Sequence, residues 1–349
     1  MATPTFDRSR GAAALVTRGA SVDAWHDAAV AVVDQRGRVT YAHGDANLVT
    51  FTRSAIKPLQ ALPLCLTGAR DALGIDDEEL ALSAASHDGG DLQRDIAARL
   101  LARSGAGADQ LQCGAHWPIG MRAAGKHPCA GEDRDPLRHN CSGKHAGFLA
   151  LARTLGVAPE RYLDPDAAVQ RAVRRAVADA CEIDEASLIA ATDGCSAPNF
   201  AMPLSALARA FKNLATRGPA GAPLDAALAR VRAAMQAHPH LVSGETRFDY
   251  ELARAFAGRV VSKGGAEALL AVGFSDPPLG IAIKILDGAD RALPPIAMAV
   301  LGELGLVDAA APPAALARRA RPVVTNHRGI ETGAIVVTGH LLTAADTPE

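Results

Sequence analysis

Hydrophobic positions alternate with two different periods along this chain, and the periods divide it into strands and helices. Residues 28–33 form an unbroken apolar run, Ala-Ala-Val-Ala-Val-Val, followed by the turn Asp34–Gly37 and a second β-type stretch at Val39–Tyr41. This pattern predicts a β-hairpin. Beyond it the apolar spacing becomes helical. Leu59, Leu62 and Leu64 fall on the inner side of a short helix that begins near Ser54. Asp76–Ser86 reads as a helix capped by Asp76 or Asp77, with Leu80 and Leu82 inward, and Leu92–Ser104 as one with Ile96, Leu100 and Leu101 on a single face.

Further helices are expected at Ala146–Leu155, stopped by Gly156, and at Ala167–Cys181, Met202–Leu214, Leu224–Ala237 and Pro295–Leu304. Short strands are expected at Ser187–Ala191, Ile281–Leu286 and Ala334–Val337, Val260–Gly265 reads as a strand end and turn, and Ala266–Phe274 as either helix or strand. Residues 105–140 form a long connection rich in Gly, Pro, His and Cys, and 238–249 reads as a polar loop. No repeat or linker interrupts the series. The expectation is a single α+β domain over residues 1–349. A mainly antiparallel sheet drawn from both chain ends is covered by helices from the middle.

Composition narrows the function without choosing it. Of the 349 residues 49% are hydrophobic and 21% charged, and the formal net charge is −2. No basic stretch is interleaved with aromatics, which argues against nucleic-acid binding. No apolar run is long enough for a membrane span, and residues 1–10 lack the apolar segment of a secretory signal. A cytoplasmic protein is expected. Its six cysteines are then reduced thiols, since none forms a Cys-x-x-Cys pair.

Candidate chemistry starts at Ser54 and Lys57, three residues apart on a helix face. A desolvated lysine loses its proton readily, and its neutral amine can take hydrogen from a serine hydroxyl. The plain alternative is a capping serine and a solvated lysine. Ser86, at the mouth of the Gly89–Gly90 turn, and Lys263, in Ser-Lys-Gly-Gly, offer a second such pair. Cys141-Ser-Gly-Lys144-His145 and Asp193-Gly-Cys195 bring soft donors that suit zinc. Chemistry alone prefers His145 to Lys144 as third ligand, and two unrelated buried thiols remain the alternative. Arg53 suits a substrate carboxylate and Asp193 an ammonium.

These segments resemble a known family. Ser54-Ala-Ile-Lys-Pro-Leu-Gln, Ser86-His-Asp-Gly-Gly, Cys113-Gly-Ala-His-Trp-Pro, His139-Asn-Cys-Ser-Gly-Lys-His-Ala-Gly-Phe, Asp193-Gly-Cys-Ser-Ala-Pro-Asn and Val261-Ser-Lys-Gly-Gly-Ala-Glu are similar, in this order, to the rhizobial-type L-asparaginases, or asparaginase II family. The likeness runs from about Leu15 to about Leu341. It implies a fold like that of serine β-lactamases and glutaminases, a homodimer, and hydrolysis of L-asparagine to L-aspartate and ammonia. It implies catalytic pairs of Ser54 with Lys57 and Ser86 with Lys263. It also implies zinc on Cys141, Lys144 and Cys195, and a pocket lined by Arg53, His145 and Asp193. Ser54 is the expected acylated serine. The competing readings are a glutaminase or other serine hydrolase on the same scaffold, and a non-catalytic, zinc-stabilised amino-acid-binding protein.

Overall fold

The computed structural model describes residues 12–127, 134–217 and 222–345. Within them, thirteen strands are β1 (Ala14–Arg18), β2 (Ser21–His26), β3 (Ala28–Val33), β4 (Val39–His43), β5 (Val49–Phe51), β6 (Ile189–Thr192), β7 (Pro198–Pro203), β8 (Val260–Gly265), β9 (Leu269–Ser275), β10 (Pro278–Ile285), β11 (Val323–Thr325), β12 (Glu331–Val337) and β13 (Thr343–Ala344). They form three sheets, ordered β13-β4-β3-β10-β9-β8, β11-β12-β1-β2 and β5-β7-β6. Every pairing is antiparallel.

The six-stranded sheet is the frame, and it draws on both chain ends as the hydrophobic pattern implies. Its strand β3 is apolar and buried at every position because both faces are covered. Along β3, Ala29, Ala31 and Val33 enter one hydrophobic core while Ala28, Val30 and Val32 enter another. This follows from the two-residue period of a strand. The first face carries small residues, and the helix Leu204–Thr216 lies against it, over β3, β9 and β10. The approach is close: a Cβ at Gly273 would collide with the carbonyl oxygen of Phe211, and one at Gly280 with that of Ala208. The opposite face carries Phe274, Ile281, Ile283 and Ile285, packed against the helix Leu293–Glu303.

The helical middle of the chain covers the first face. Asp76 caps the helix Asp77–Ser83 through a reciprocal box with Glu79. Glu79 is wholly buried and is held by Arg99 at 3.0 Å and Arg103 at 2.7 Å. The helices Asp91–Ser104 and Ala168–Cys181 fall where the periodicity puts them.

Several segments differ from expectation. β1 and β2 have no counterpart in the predicted elements; they pair in the smaller sheet, where β2 has a largely solvent-facing sequence. Of the segment 266–274, residues 266–268 are a turn and the rest belongs to strand β9. Pro198–Pro203 is a strand and not the approach to a helix, so residues 193–197 form the turn of the β6–β7 hairpin. The helix predicted from Ala146 begins at Ser142, which puts Lys144 and His145 in its first turn. Gly143 permits this, because any Cβ there would strike Leu82 of the neighbouring helix. The polar loop 238–249 contains the short helix Pro239–Val242 and the first residues of Phe248–Ala255. Cys129 lies outside the described residues, and the other five cysteines are free. No helix among the described residues is long and apolar enough to cross a membrane.

Candidate active site

The site grows from a strained turn. Arg53 has φ of +47°, uncommon for a residue with a side chain. Asn199, on β7, holds that turn from both sides: its Oδ1 accepts from the Arg53 N–H at 3.0 Å, and its Nδ2 donates to the Arg53 carbonyl at 3.0 Å. The Thr52 hydroxyl adds a bond to the Phe200 carbonyl at 2.9 Å. From this clamp the chain enters a 3-10 turn, Arg53–Ile56, and then the short helix Lys57–Gln60, which is buried throughout.

Lys57 is fully buried. Its Nζ lies 2.7 Å from the Ala85 carbonyl, 2.9 Å from Ser86 Oγ, 3.2 Å from the Asn140 carbonyl and 3.1 Å from Cys141 Sγ. Burial pushes its pKa down, opposed by the negative charge on Cys141. Ser54 is not among its hydrogen-bond partners. The contact expected within Ser54-x-x-Lys57 is replaced by one between Lys57 and Ser86. The physical reason is satisfaction of a buried amine: two carbonyls and a hydroxyl converge between residues 85 and 140, while Ser54 faces the cleft half-buried. Ser86 is itself buried, and the Asn140 amide approaches its hydroxyl at 3.4 Å.

Lys263, on β8, is also fully buried. Its Nζ donates to the Gly264 carbonyl at 2.9 Å and lies 3.5 Å from Asp249 Oδ2. The expected pairing of Lys263 with Ser86 is therefore not made. Burial brings the Lys263 pKa down to about 7, against the charge of Asp249, which holds it up.

Two adjoining cavities open here. One, of about 480 Å³, is lined by Ser54, Ser86, Asp88, Asn140, Arg247 and Asp249 among others. The second, of about 350 Å³, shares Ser54 and Asn140 and adds Arg53, His139, Cys141, Asp193 and Cys195. Arg53 Nε donates to Asp193 Oδ1 at 2.8 Å. Burial tends to raise the Asp193 pKa, but Lys144, the Gly194 N–H and Arg53 outweigh it and keep the carboxyl ionised.

Behind Asp193 lies the thiol cluster. Lys144 Nζ donates to Cys195 Sγ at 3.0 Å. A hydrogen bond shared with Cys195 draws the Cys141 pKa well below the usual thiol range despite burial, with help from Lys57 and Lys144. Burial depresses Lys144, but the sulfur charges of Cys195 and Cys141 more than reverse this. His145 is wholly buried and is not on the cavity wall, unlike Arg53 and Asp193. The Tyr162 hydroxyl accepts from the Gln112 N–H, leaving its own proton for His145 Nδ1 at 2.7 Å. The second ring nitrogen then carries hydrogen. It faces Cys195 without a hydrogen bond of standard geometry, and burial holds the imidazole neutral, with a pKa of about 4. Either nitrogen would have to give up hydrogen to serve as third donor beside the two sulfurs, and Lys144 Nζ is the one already in hydrogen-bond contact with Cys195. Among the described residues no three His, Cys, Asp or Glu side chains are grouped to hold a metal. A two-sulfur, one-amine set lies outside that description, and its two sulfurs suit zinc.

Sequence reasoning passed over Asn140, Asn199 and Asp249. The two asparagines stand inside quoted motifs, where proximity to Cys141 and Pro198 was the only signal. His87 proves structural: its Nδ1 accepts from the Gly89 N–H, so its Nε2–H donates to Ser142 Oγ at 2.9 Å. That bond also removes the Gly89 N–H from the groups available to an oxyanion.

Antiparallel sheets flanked by helices, with a polar cleft over buried amines and hydroxyls, define an α+β hydrolase-like protein. The L-asparaginase II family profile matches residues 14–337, and the chain belongs to that family. It is accordingly an amidohydrolase of the asparaginase type. A comparison with curated proteins found no match.

Proposed function

We propose that this enzyme hydrolyses L-asparagine to L-aspartate and ammonia, with Ser86 as the attacking alcohol and Lys57 as its base. The observation that carries this reading is the 2.9 Å contact between Lys57 Nζ and Ser86 Oγ in a fully buried setting. A neutral amine has two N–H bonds and one lone pair. The Ala85 carbonyl takes one hydrogen and either the Asn140 carbonyl or Cys141 Sγ takes the other, which leaves the lone pair for the Ser86 hydroxyl.

As Ser86 Oγ bonds to the carboxamide carbon, Lys57 takes the hydroxyl proton and then delivers it to the departing nitrogen, so that ammonia leaves as the C–N bond breaks. Water cleaves the resulting ester, releasing aspartate and restoring Ser86. Ser54 faces the same cleft and serves this second step, with the buried Lys263, whose pKa is brought down to about 7, as the second amine. Arg53 and Asp193, on the adjoining wall, are suited to the α-carboxylate and α-ammonium of the substrate.

Cys141, Lys144 and Cys195 would hold zinc, which when bound would neutralise the two sulfurs and fix the wall that carries Asp193. Lys144 would give up its proton on binding. The reading also includes the scaffold of serine β-lactamases and glutaminases, supported by the antiparallel frame and by the lysine at a helix start. It further includes a homodimer, supported by the open edge strand β6 with its exposed Ile189. Ammonia release from L-asparagine and from L-glutamine, measured side by side, tests the substrate. A preference for glutamine, or no release from either amide, overturns it.

A further inference from the structure

We propose that Asp249 is a positioning residue, fixing the Lys263 amine beside the cleft and setting its charge. The inference rests on the proposed hydrolytic role of the cleft and extends it to a residue outside the serine–lysine motifs.

Lys263 leaves β8 fully buried, and the end of that same strand closes on the Ser54 turn: a Cβ at Gly265 would come within 2.9 Å of the Thr52 carbonyl oxygen. A buried lysine head group needs acceptors, because an unpartnered buried N–H carries an uncompensated desolvation cost. Two acceptors are supplied. One is the Gly264 carbonyl at 2.9 Å, and the other is Asp249 Oδ2 at 3.5 Å. Asp249 is built in on three sides. Its Oδ2 accepts from the Gly264 N–H at 3.0 Å, its backbone carbonyl accepts from Ser262 Oγ at 2.8 Å, and the Ser243 hydroxyl bonds its carboxylate. The carboxylate thus grips both the strand that carries Lys263 and the amine itself.

The charged groups facing Lys263 are Asp249 and Arg247 from the segment that opens the helix Phe248–Ala255, and Lys57 from the Ser54 helix. Asp249 alone among them is negative. Burial raises the carboxyl pKa of Asp249, but Lys263, Arg247 and the Gly264 N–H overcome it, so the group is ionised at neutral pH. Burial of Lys263 and its two cationic neighbours favour the neutral amine, and Asp249 opposes them. Removing the carboxylate charge therefore lowers the pH at which Lys263 sheds its proton.

The test uses the full chain with lysine labelled by carbon-13 at Cε. The sequence has six lysines, so the Lys263 signal is assigned by its loss in Lys263→Met. In the wild type its titration midpoint is expected near pH 7. In Asp249→Asn the midpoint is expected to fall by about one pH unit or more, with the acid limb of kcat/KM falling in parallel. Asp249→Glu should restore both. A folded Asp249→Asn protein with an unmoved Lys263 midpoint overturns the proposal. If that variant does not fold, Asp249→Ser keeps an oxygen for the Gly264 N–H and is read in the same way. Failure of both to fold makes Asp249 a structural residue and also overturns the proposal. The labelled-lysine titration needs no substrate, so absence of ammonia release would sink the catalytic reading and leave this result standing.

Discussion

Removing the Ser86 hydroxyl separates the pairing found here from the one that spacing alone suggests. Ser86→Ala deletes one buried oxygen and one hydrogen bond to Lys57. The Lys57 amine keeps the Ala85 and Asn140 carbonyls, so no charged group is orphaned. The stability cost should be that of the Lys57 bond and the long one from the Asn140 amide, about 1 to 2 kcal/mol. In a chain of this length that lowers Tm by no more than about 3 °C. Activity should respond on a different scale: loss of the attacking atom is expected to reduce kcat for ammonia release by about 10,000-fold or more. Ser54→Ala, which removes a half-buried hydroxyl outside the Lys57 bonds, should cost about 100-fold through slower ester hydrolysis. The assay is ammonia release from L-asparagine at saturating and limiting substrate, with Tm measured on the same samples. Mass spectrometry of acid-quenched enzyme locates the trapped acyl group. An acyl adduct on Ser54, together with near-normal turnover in Ser86→Ala, would refute the reasoning and return the attack to Ser54.

Wild-type protein should carry about one zinc per chain by elemental analysis, and Cys195→Ser should carry almost none, because a neutral hydroxyl is a poor replacement for a thiolate. Arg53→Lys should raise KM for L-asparagine about tenfold with little change in kcat, since a single ammonium cannot both keep the Nε bond to Asp193 and present a second N–H edge to a carboxylate; a changed kcat with constant KM would remove Arg53 from substrate binding. Gly273→Ala should destabilise the fold by about 3 kcal/mol in urea unfolding, because its methyl group would need the Leu204–Thr216 helix to lift off the sheet.

What was legible in the sequence was what local pattern encodes. The Ala28–Val33 hairpin strand and the helices at 77–83, 91–104 and 168–181 follow from periodicity and caps, as Asp76 with Glu79 illustrates. The motif residues also gather at one cleft: Ser54, Ser86 and Asn140 share a cavity, and Cys141, Lys144 and Cys195 lie together behind it. Spacing could not tell which partner each amine takes. Lys57 reaches past Ser54 because its acceptors come from residues 85 and 140, brought in by tertiary packing. Lys263 turns to Asp249, which the sequence places at the end of a polar loop. Strand β7 was hidden for a related reason: its apolar residues run straight into a helix of the same character, and only pairing with β5 and β6 distinguishes them.

The Asn199 clamp couples two parts of the molecule that a protein engineer would treat separately. Widening the β6–β7 hairpin to admit a longer amino acid would also pull on both backbone groups of Arg53, and so on the entry to the helix that carries Lys57. Selectivity and reactivity are mechanically geared together here, and variants that relax the first should be sought among substitutions that leave residue 199 untouched.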